Sequence, residues 1–486
     1  MEKLKNKQTK IIFIVVSILL IMPSIIYMIQ NKTLLGFNKY YNFFITDKIS
    51  KTISTYIYLC LLGLMIISYY KLIQNKKEFK NIKEFLKYVI IISCIFLFMI
   101  PWTSSDIFYY MGVGELDSVY GQNPYYVTIR KFSKENEKNL KNDSILKQGN
   151  TNVWANTTVV YGPIAQLIFK ICATLSFKNI NVCWLIFKLI NLLVHITNCY
   201  LIYKLTGKLK FSIIYGLNPF VLLEFLGMLH NDIIVVFFVL LTLYFLTKKK
   251  NIYFSLICLA LATGIKYFTV LLLPIVIFYY IGEEEKISIK ILKCIKYGII
   301  FFVIIGIEYI PYFENIEVIL AMISQTTRYA KSIYSAMLII NKDFMEIVRA
   351  AMMTLFVYCF VLKCFKFLFN KNNSIMKMLR KYNTTLILFL LILTNCQQWY
   401  IVWLFATIMW QKPKMIKNII WVSLITEFAN SIYMFKREIY IYDLYYVAII
   451  IIMLLLAQGY AHIKADEDRS NQIGKTSVNW WKQYNE

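Results

Sequence analysis

The sequence predicts an all-α, polytopic integral membrane protein built as a helical bundle. Of its 486 residues, 59% are hydrophobic and only 16% are charged, whereas an ordinary soluble domain has a smaller apolar share. Apolar runs long enough to cross a hydrocarbon layer of roughly 30 Å recur between Ile11 and Tyr460. No soluble catalytic domain fits between these runs, so any chemistry must be built from helix ends and loops.

The first apolar run follows a basic start and continues to Gln30 without the small-residue cleavage pattern of a signal peptide. We therefore expect a retained first helix whose N-terminus lies in the cytoplasm. In all, about 13–14 transmembrane helices are predicted. The spans are assigned to residues 11–30, 52–73, 86–102, 183–203, 211–228, 231–247, 252–265, 267–281, 291–308, 347–368, 383–396, 399–411, 416–434 and 442–460.

The chain carries 53 Lys and Arg against 27 Asp and Glu, which gives a net charge of +26. In a soluble protein this excess would suggest nucleic acid as a partner. Here the basic residues cluster in short links between apolar runs, as expected for loops that face the cytoplasm and anionic lipids. We therefore predict the lipid bilayer, and no nucleic acid, as a partner. Alternation through the spans places inside the clusters 71–87, 204–210, 248–250, 286–296, 363–381 and 412–417.

That alternation depends on the apolar stretch 161–176. It must lie along the outer membrane surface as an interfacial helix, because a crossing here would turn every later lysine cluster outward. Within the long outer loop, the polar stretch 130–152 is expected to be a solvated insertion. The five segments then assigned to the outer face are 103–182, 229–231, Lys266, 308–343 and 397–398.

No cofactor or metal is predicted. The sequence contains no P-loop and no strand followed by a glycine-rich turn that opens a helix. All ten cysteines lie in or at the edges of apolar segments, without CxxC or His-rich spacing, and are interpreted as small core hydrophobes. His195 lies within a span and is likewise interpreted as a core residue.

The strongest local signal for chemistry lies in the external segment 104–114. Pro101 ends the preceding span, which leaves Asp106 just outside the membrane. A carboxylate in that position is partly desolvated and can accept a proton from a bound hydroxyl. Alternatively, Ser104, Ser105 or Asp106 simply caps the N-terminus of a surface helix.

Several motifs follow one another in a recognisable order. They are Asp106 with the aromatic pair Tyr109-Tyr110, Gly121-Gln122-Asn123-Pro124-Tyr125, Tyr161-Gly162-Pro163-Ile164, Asn218-Pro219-Phe220 with Glu224 and His230-Asn231-Asp232, Gly264-Ile265-Lys266-Tyr267 with Pro274, and Gln398-Trp399-Tyr400 with Trp403. This set resembles the GT-C superfamily of polyprenyl-phosphate-sugar-dependent glycosyltransferases, and more narrowly the bacterial polyprenol-phosphomannose-dependent mannosyltransferases. The resemblance covers roughly residues 86–411. Gly162 and Gln398 stand where that family often has Pro.

The resemblance implies a GT-C fold and inverting, metal-independent transfer of a sugar, with mannose as the first expectation. The donor would be a polyprenyl-phosphate sugar, the acceptor a hydroxyl of a glycan, glycolipid or other molecule at the outer face, and Asp106 the base. Because a polyprenyl phosphate leaves readily without an acid, one base and a phosphate clamp suffice. The expected parts are N-terminal helices 1–85, a catalytic module 86–281, C-terminal helices 282–461 and a cytoplasmic tail 462–486.

Further residues expected to bind the donor have simpler alternative roles. Asp232 could hold sugar hydroxyls or position Asp106, or only stabilise a helix N-terminus. His230 could hydrogen-bond the donor or only accompany a helix cap. Lys266 could bind the phosphate or extend its ammonium group to water at the interface. Secondary candidates are Tyr110, Asn123, Tyr125, Tyr161, Glu224 and Gln398.

The later external segments add cations and aromatic rings. The guanidinium of Arg328 suits a phosphate, and Lys331 lies close to it in sequence, although both could be ordinary loop charges. Trp399, Tyr400 and Trp403 could stack on a sugar or belong to an interfacial aromatic belt.

Two other functions remain open from the sequence. A polymerase or ligase of lipid-linked oligosaccharide would use a diphosphate donor, and a second arginine near Arg328 would favour it. A polytopic lipid or solute transporter would need coupling charges near the bilayer midplane, or two similar halves with broken helices, and the sequence indicates neither. We expect a multi-pass glycosyltransferase of the cell membrane, a hexosyltransferase with its active site on the extracytoplasmic side.

Overall fold

The computed structural model describes residues 2–31, 48–74, 79–282, 286–323, 328–329, 331–369 and 374–436. Across these ranges the regular elements are helices, which confirms the predicted all-α, polytopic class. Four of the described helices are long and apolar enough to cross a membrane, or five if one bent pair counts as a single span. The predicted span 442–460 and the predicted tail 462–486 lie outside the described residues.

The chain opens with the apolar helices α1 (Glu2–Asn31), α2 (Lys48–Gln74) and α3 (Ile82–Phe96). Lys10 of α1 pairs with Glu84 near the start of α3 at 3.2 Å. These two helices therefore begin on the same side, as the predicted alternation requires.

Five short helices follow and form what we call the cap layer, residues 103–182. Asp117 of this layer accepts a hydrogen bond from Lys170 at 2.7 Å and a second from Gln166 at 3.2 Å. The first helix of the layer is buried along nearly its whole length. The helices are α4 (Asp106–Ser118), α5 (Ile129–Glu135), α6 (Glu137–Asn142), α7 (Ser144–Asn150) and α8 (Pro163–Thr174).

The expectation of a solvated insertion at 130–152 is wrong for its apolar side chains. Ile145 and Leu146 are fully buried together with the adjacent Ile129, while Lys131 and Lys134 are exposed. The stretch is therefore an amphipathic part of the cap layer, because its apolar side chains pack inward and most of its lysines face outward, while Asp143 is buried.

Helix α8 has the dimensions of an interfacial helix. Its 12 residues span about 18 Å at 1.5 Å per residue, which is too short for a hydrocarbon layer of about 30 Å. It packs along α4 and leaves Leu167, Ile171 and Leu175 exposed on its other face. This geometry agrees with the prediction that 161–176 lies along the membrane instead of crossing it.

The predicted single span 211–228 is broken. After α9 (Ile180–Thr206), the chain forms α10 (Leu209–Gly216) and α11 (Pro219–Val221), then a π-helical turn at Leu222–Gly227. The two halves meet at a bend of 51°. The physical reason is the Asn-Pro pair, since Pro219 lacks an N–H and the Asn218 side chain caps the new helix by accepting from the Phe220 N–H at 3.0 Å.

The next helices form an antiparallel pair whose ends carry the predicted site residues. They are α12 (Asp232–Thr247), α13 (Ile252–Thr263), a 3₁₀ helix at Tyr267–Leu272 and α14 (Leu273–Ile281). The lysines 248–250 form the turn between α12 and α13. The start of α12 and the end of α13 therefore lie at the same end of the bundle, as predicted.

The C-terminal helices complete the described bundle. The predicted span 399–411 is a buried 3₁₀ helix of 13 residues, which is long for this helix type. The elements are α15 (Ile287–Tyr309), α16 (Glu317–Ile323), α17 (Ile333–Ile340), α18 (Lys342–Phe369), α19 (Ile375–Ile392), the 3₁₀ helix Gln398–Trp410 and α20 (Pro413–Lys436).

One backbone contact joins the cap layer to the membrane helices. The Gly264 carbonyl, just after α13, accepts from the N–H groups of Ile164 at 2.9 Å and Ala165 at 3.2 Å. These donors belong to the first turn of α8, where N–H groups have no partner within their own helix. A Cβ on Gly162 would lie 2.3 Å from the Gly264 oxygen. This position therefore excludes any side chain.

We predict that Gly162→Ala lowers the free energy of unfolding by about 1–3 kcal/mol, the usual cost of overpacking, and lowers the melting temperature of the purified protein. The matched control is Gly298→Ala, because nothing lies within 4 Å of a Cβ there and alanine favours a helix interior. Equal melting temperatures for the two variants would contradict the tight junction.

Candidate active site

A cavity of about 520 Å³ opens where the cap layer meets the membrane helices. The sequence analysis assigned five segments to the outer face, and four of them contribute residues to the wall of this cavity. The predicted site residues that line it are Asp106, Tyr161, Lys266, Arg328, Lys331, Trp399, Tyr400 and Trp403.

Asp106 lies on the cavity wall as the first residue of α4. Its Oδ1 accepts from the Trp154 indole N–H at 3.3 Å, and its side chain is 15% exposed. Asn152 fixes the backbone just before it by donating to the Ser105 carbonyl at 2.7 Å. The carboxylate is thus held by Trp154, its backbone is fixed by Asn152, and it faces the cavity.

His230 lies directly behind Asp106. Its Nδ1 is 3.7 Å from Asp106 Oδ2, its Nε2 is 3.2 Å from Glu224 Oε2, and its ring is fully buried. Trp399 stacks on that ring with centroids 3.6 Å apart. Glu224, supplied by the π-helical turn, also accepts from Asn430 at 3.1 Å. The structure therefore brings together three predicted residues as a row, with His230 between two carboxyl groups.

Asp232 and Lys266 form a second acid–base pair at the cavity. Lys266 Nζ is 3.7 Å from Asp232 Oδ1, and the same oxygen accepts from the Trp403 indole N–H at 2.7 Å. The ammonium also lies over the rings of Tyr161 at 4.8 Å and Tyr400 at 4.9 Å. Lys266 is therefore enclosed by aromatic rings, with only 14% of its side chain exposed.

Two more cations line the cavity from the 308–343 segment. The Arg328 guanidinium lies over the Trp154 ring at 5.2 Å. Lys331 donates to the side-chain oxygens of Gln397 at 3.0 Å and Gln398 at 2.9 Å. Burial lowers the pKa of Lys331 to about 8, although the charges of Glu224 and Asp106 oppose that shift.

The remaining secondary candidates mainly hold the cap layer in place. Tyr110 meets the Tyr161 hydroxyl at 3.3 Å, and Tyr125 donates to the Tyr161 carbonyl at 2.8 Å. Asn123 donates to the Tyr312 carbonyl at 2.9 Å, which ties the G-x-N-P-Y segment to the chain after α15. His195 contacts the Gly216 carbonyl at 3.0 Å from within the core, as the sequence predicted.

Sequence reasoning missed several residues of this site, among them Asn152, Trp154, Gln397 and Phe268. Asn152 and Trp154 stand in the stretch before the interfacial helix, where only an aromatic residue among small polar ones marked the position. Gln397 and Phe268 each adjoin a motif that was recognised, and Phe268 stacks on Trp403 with centroids 3.7 Å apart. Among the described residues, no group of three His, Cys, Asp or Glu side chains has the arrangement of a metal site.

Comparison with known proteins identifies the family of this chain. The family model of the alpha-(1→6)-mannopyranosyltransferases, N-terminal domain, matches residues 14–282. The chain belongs to the alpha-(1→6)-mannopyranosyltransferase family. No curated protein and no solved structure matches it.

The family match confirms the resemblance to mannosyltransferases and supports mannosyl transfer as the activity of this multi-pass membrane protein. It includes Asp106, Glu224, His230, Asp232 and Lys266. The other part of the cavity wall, with Arg328, Lys331 and the 3₁₀ helix Gln398–Trp410, comes from beyond the match.

We predict that mannosyl transfer falls as the pH rises through about 8, because Lys331 is a cation below that pKa and neutral above it. Lys331→Arg should keep its rate at higher pH, since a guanidinium stays charged. Transfer rates between pH 7 and 9.5 test this. Lys147→Arg, at an exposed position, serves as the control. A wild-type rate that stays constant across this pH range would contradict the prediction that transfer needs the charge of Lys331.

Proposed function

We propose that this chain transfers mannose from a polyprenyl-phosphate-linked donor to an acceptor hydroxyl at the outer face of the cell membrane, with inversion and with Asp106 as the base. In this proposal the catalytic module is 86–281, and 282–461 completes the donor site. The observation that carries the proposal is that one cavity is lined by the Asp106 carboxylate and by three cations. The family name adds the 6-hydroxyl of a mannose residue as the acceptor group.

The surroundings of Asp106 support the role of a base. Trp154 donates to one carboxylate oxygen and so holds the side chain in one orientation. A positioned carboxylate accepts the proton of a hydroxyl as that oxygen attacks. Partial exposure to the cavity leaves room for the acceptor beside it.

The cations of the wall suit the leaving group. Lys266, Arg328 and Lys331 line the same cavity, and their charges stabilise a phosphate more strongly as the glycosidic bond breaks and negative charge grows on its oxygens. Asp232 is buried and faces Lys266, so it positions that ammonium group.

The apolar part of the wall suits the lipid tail of the donor. Phe268, Phe389 and Leu393 line the cavity on the side of α19. Phe268 and Phe389 stack with centroids 6.3 Å apart, and the aromatic contacts continue from Phe389 to Phe356 of α18. Many side chains of α18 are exposed and apolar, so this row leads from the cavity towards lipid.

The transfer step balances with these groups alone. The acceptor oxygen bonds to C1 of mannose and gives its proton to Asp106. The bond between C1 and the phosphate oxygen breaks, and the polyprenyl phosphate leaves with the electron pair. Attack opposite to the leaving group inverts the configuration at C1.

A polymerase or ligase that uses a diphosphate donor is the second candidate. It would be favoured by a second arginine beside Arg328. Of the described residues that line the cavity, Arg328 is the one arginine, and the two other cations are lysines. The wall therefore favours a monophosphate donor.

We predict that Asp106→Asn lowers the rate of mannosyl transfer about 10²- to 10⁴-fold, the usual contribution of a positioned base, while the melting temperature stays near that of the wild type. The amide keeps the shape of the side chain and removes its basicity. Asp343→Asn, at an exposed position, is the matched control. A rate within tenfold of the wild type would remove Asp106 from the role of base.

For the phosphate contacts, we predict that Lys266→Met and Arg328→Met each lower kcat as well as donor affinity, because their charge matters most as the bond breaks. The expected loss is on the order of 2–4 kcal/mol, or roughly 30- to 1,000-fold in rate. A short-chain polyprenyl-phosphate mannose is the substrate for this assay. Lys147→Met is the control, and near-wild-type rates in both variants and in the double variant would refute the clamp.

A further inference from the structure

The row of Asp106, His230 and Glu224 continues from the cavity into the bundle. His230 and Glu224 are 0% and 1% exposed, so neither belongs to the surface that a substrate touches. Behind them, Asn430 of α20 donates to Glu224, and Glu427 of the same helix lies in hydrogen-bond contact with Glu224. A buried path of ionisable groups therefore leads away from the base.

The number of protons in this row is limited by the imidazole. A neutral imidazole carries one N–H and one lone pair, yet both ring nitrogens of His230 face a carboxylate oxygen. Neither contact has the geometry of a hydrogen bond, because both ring nitrogens and Glu224 Oε2 lack a hydrogen-bond partner among the described residues. When His230 is neutral and both carboxyl groups that face it are ionised, the row therefore holds one proton fewer than its two contacts need.

The shorter contact indicates where the proton is missing. The Nε2 atom lies closer to Glu224 than Nδ1 lies to Asp106. A carboxylate that accepts from one ring nitrogen sets the tautomer and leaves the lone pair on the other. His230 then presents the Nδ1 lone pair to Asp106, and Trp399 holds the plane of the ring by stacking.

We propose that His230, oriented by Glu224, takes over the proton that Asp106 removes from the acceptor hydroxyl. This inference rests on the proposed role of Asp106 as the base. The acceptor proton first forms an O–H bond on Asp106. That bond then breaks, an N–H bond forms at Nδ1, and the Asp106 carboxylate is restored beside an imidazolium. After the products leave, the proton returns through Asp106 to water in the cavity.

The charges around His230 suit an imidazolium that exists only during turnover. Asp106 and Glu224 flank it directly, and Glu427 lies beyond Glu224. Lys331 interacts electrostatically with both Asp106 and Glu224 and, as a cation, opposes a permanent charge on the ring. Asp232 and Lys266 pair with each other nearby. His230 acts through Asp106 and is therefore a positioning and proton-accepting residue.

The experiment measures kcat and donor KM of the full chain between pH 5.5 and 9 for His230→Gln and Glu224→Gln. Both variants should lose kcat on the order of 10- to 100-fold, with donor KM within about twofold, because only the proton step is affected.

His195→Gln is the matched control, since His195 is also fully buried but meets a backbone carbonyl and the Tyr215 ring where His230 meets two carboxyl groups. Its kcat and donor KM should match those of the wild type. If His230→Gln fails to fold, Glu224→Gln and His230→Ala with added imidazole decide. We expect imidazole to restore part of kcat.

A wild-type kcat in His230→Gln or Glu224→Gln would overturn the relay, as would a His230→Ala variant that imidazole does not rescue. Asp106→Asn separates this failure from failure of the base. If Asp106→Asn is inactive while His230→Gln keeps the wild-type kcat, only the relay is wrong. If Asp106→Asn is active, the proposed base fails first.

Discussion

The contact between the Gly264 carbonyl and the first turn of α8 is the constraint on which the site depends. It joins the end of a membrane helix to the start of a cap-layer helix through backbone atoms. Tyr161 immediately precedes this junction and Lys266 lies two residues after Gly264, so the ammonium meets its aromatic partner. A buried carbonyl and two helix N–H groups satisfy one another here, which neither side could achieve alone.

The polar groups of the site are arranged so that burial is compensated. Asp232 is buried but receives an indole N–H and faces an ammonium. Lys331 is enclosed but has two amide oxygens as acceptors. Removing a charge from water is costly unless a partner is present. Because each of these groups has a partner, it can be buried inside an otherwise apolar bundle. The aromatic rings around them exclude water and strengthen each interaction.

The sequence predicted the class of fold and the end of the bundle at which the motifs meet. It could do so because the hydropathy of the spans and the positions of the lysine clusters are both constrained by the membrane. It predicted Asp106, Lys266 and Trp399 as neighbours only through a family resemblance. It could not predict that Trp154 would reach Asp106, since that contact joins residues 48 positions apart within the cap layer. Nor did it predict the break at Asn218, although Pro219 stood there, because the apolar run continues across it and tertiary contacts decide the outcome.

The shortness of α13 has a consequence for the bilayer. Twelve residues reach about 18 Å, starting directly beyond the lysines 248–250. On the topology predicted from the sequence, these lysines lie at one interface, so the end of α13 would lie about a dozen ångströms short of the opposite boundary of a layer about 30 Å thick. Such a hydrophobic mismatch is met by local thinning of the membrane or by a water-filled recess. In the proposed function, the lipid-linked donor would reach the cations by sinking its head group there, while its tail stays among the acyl chains.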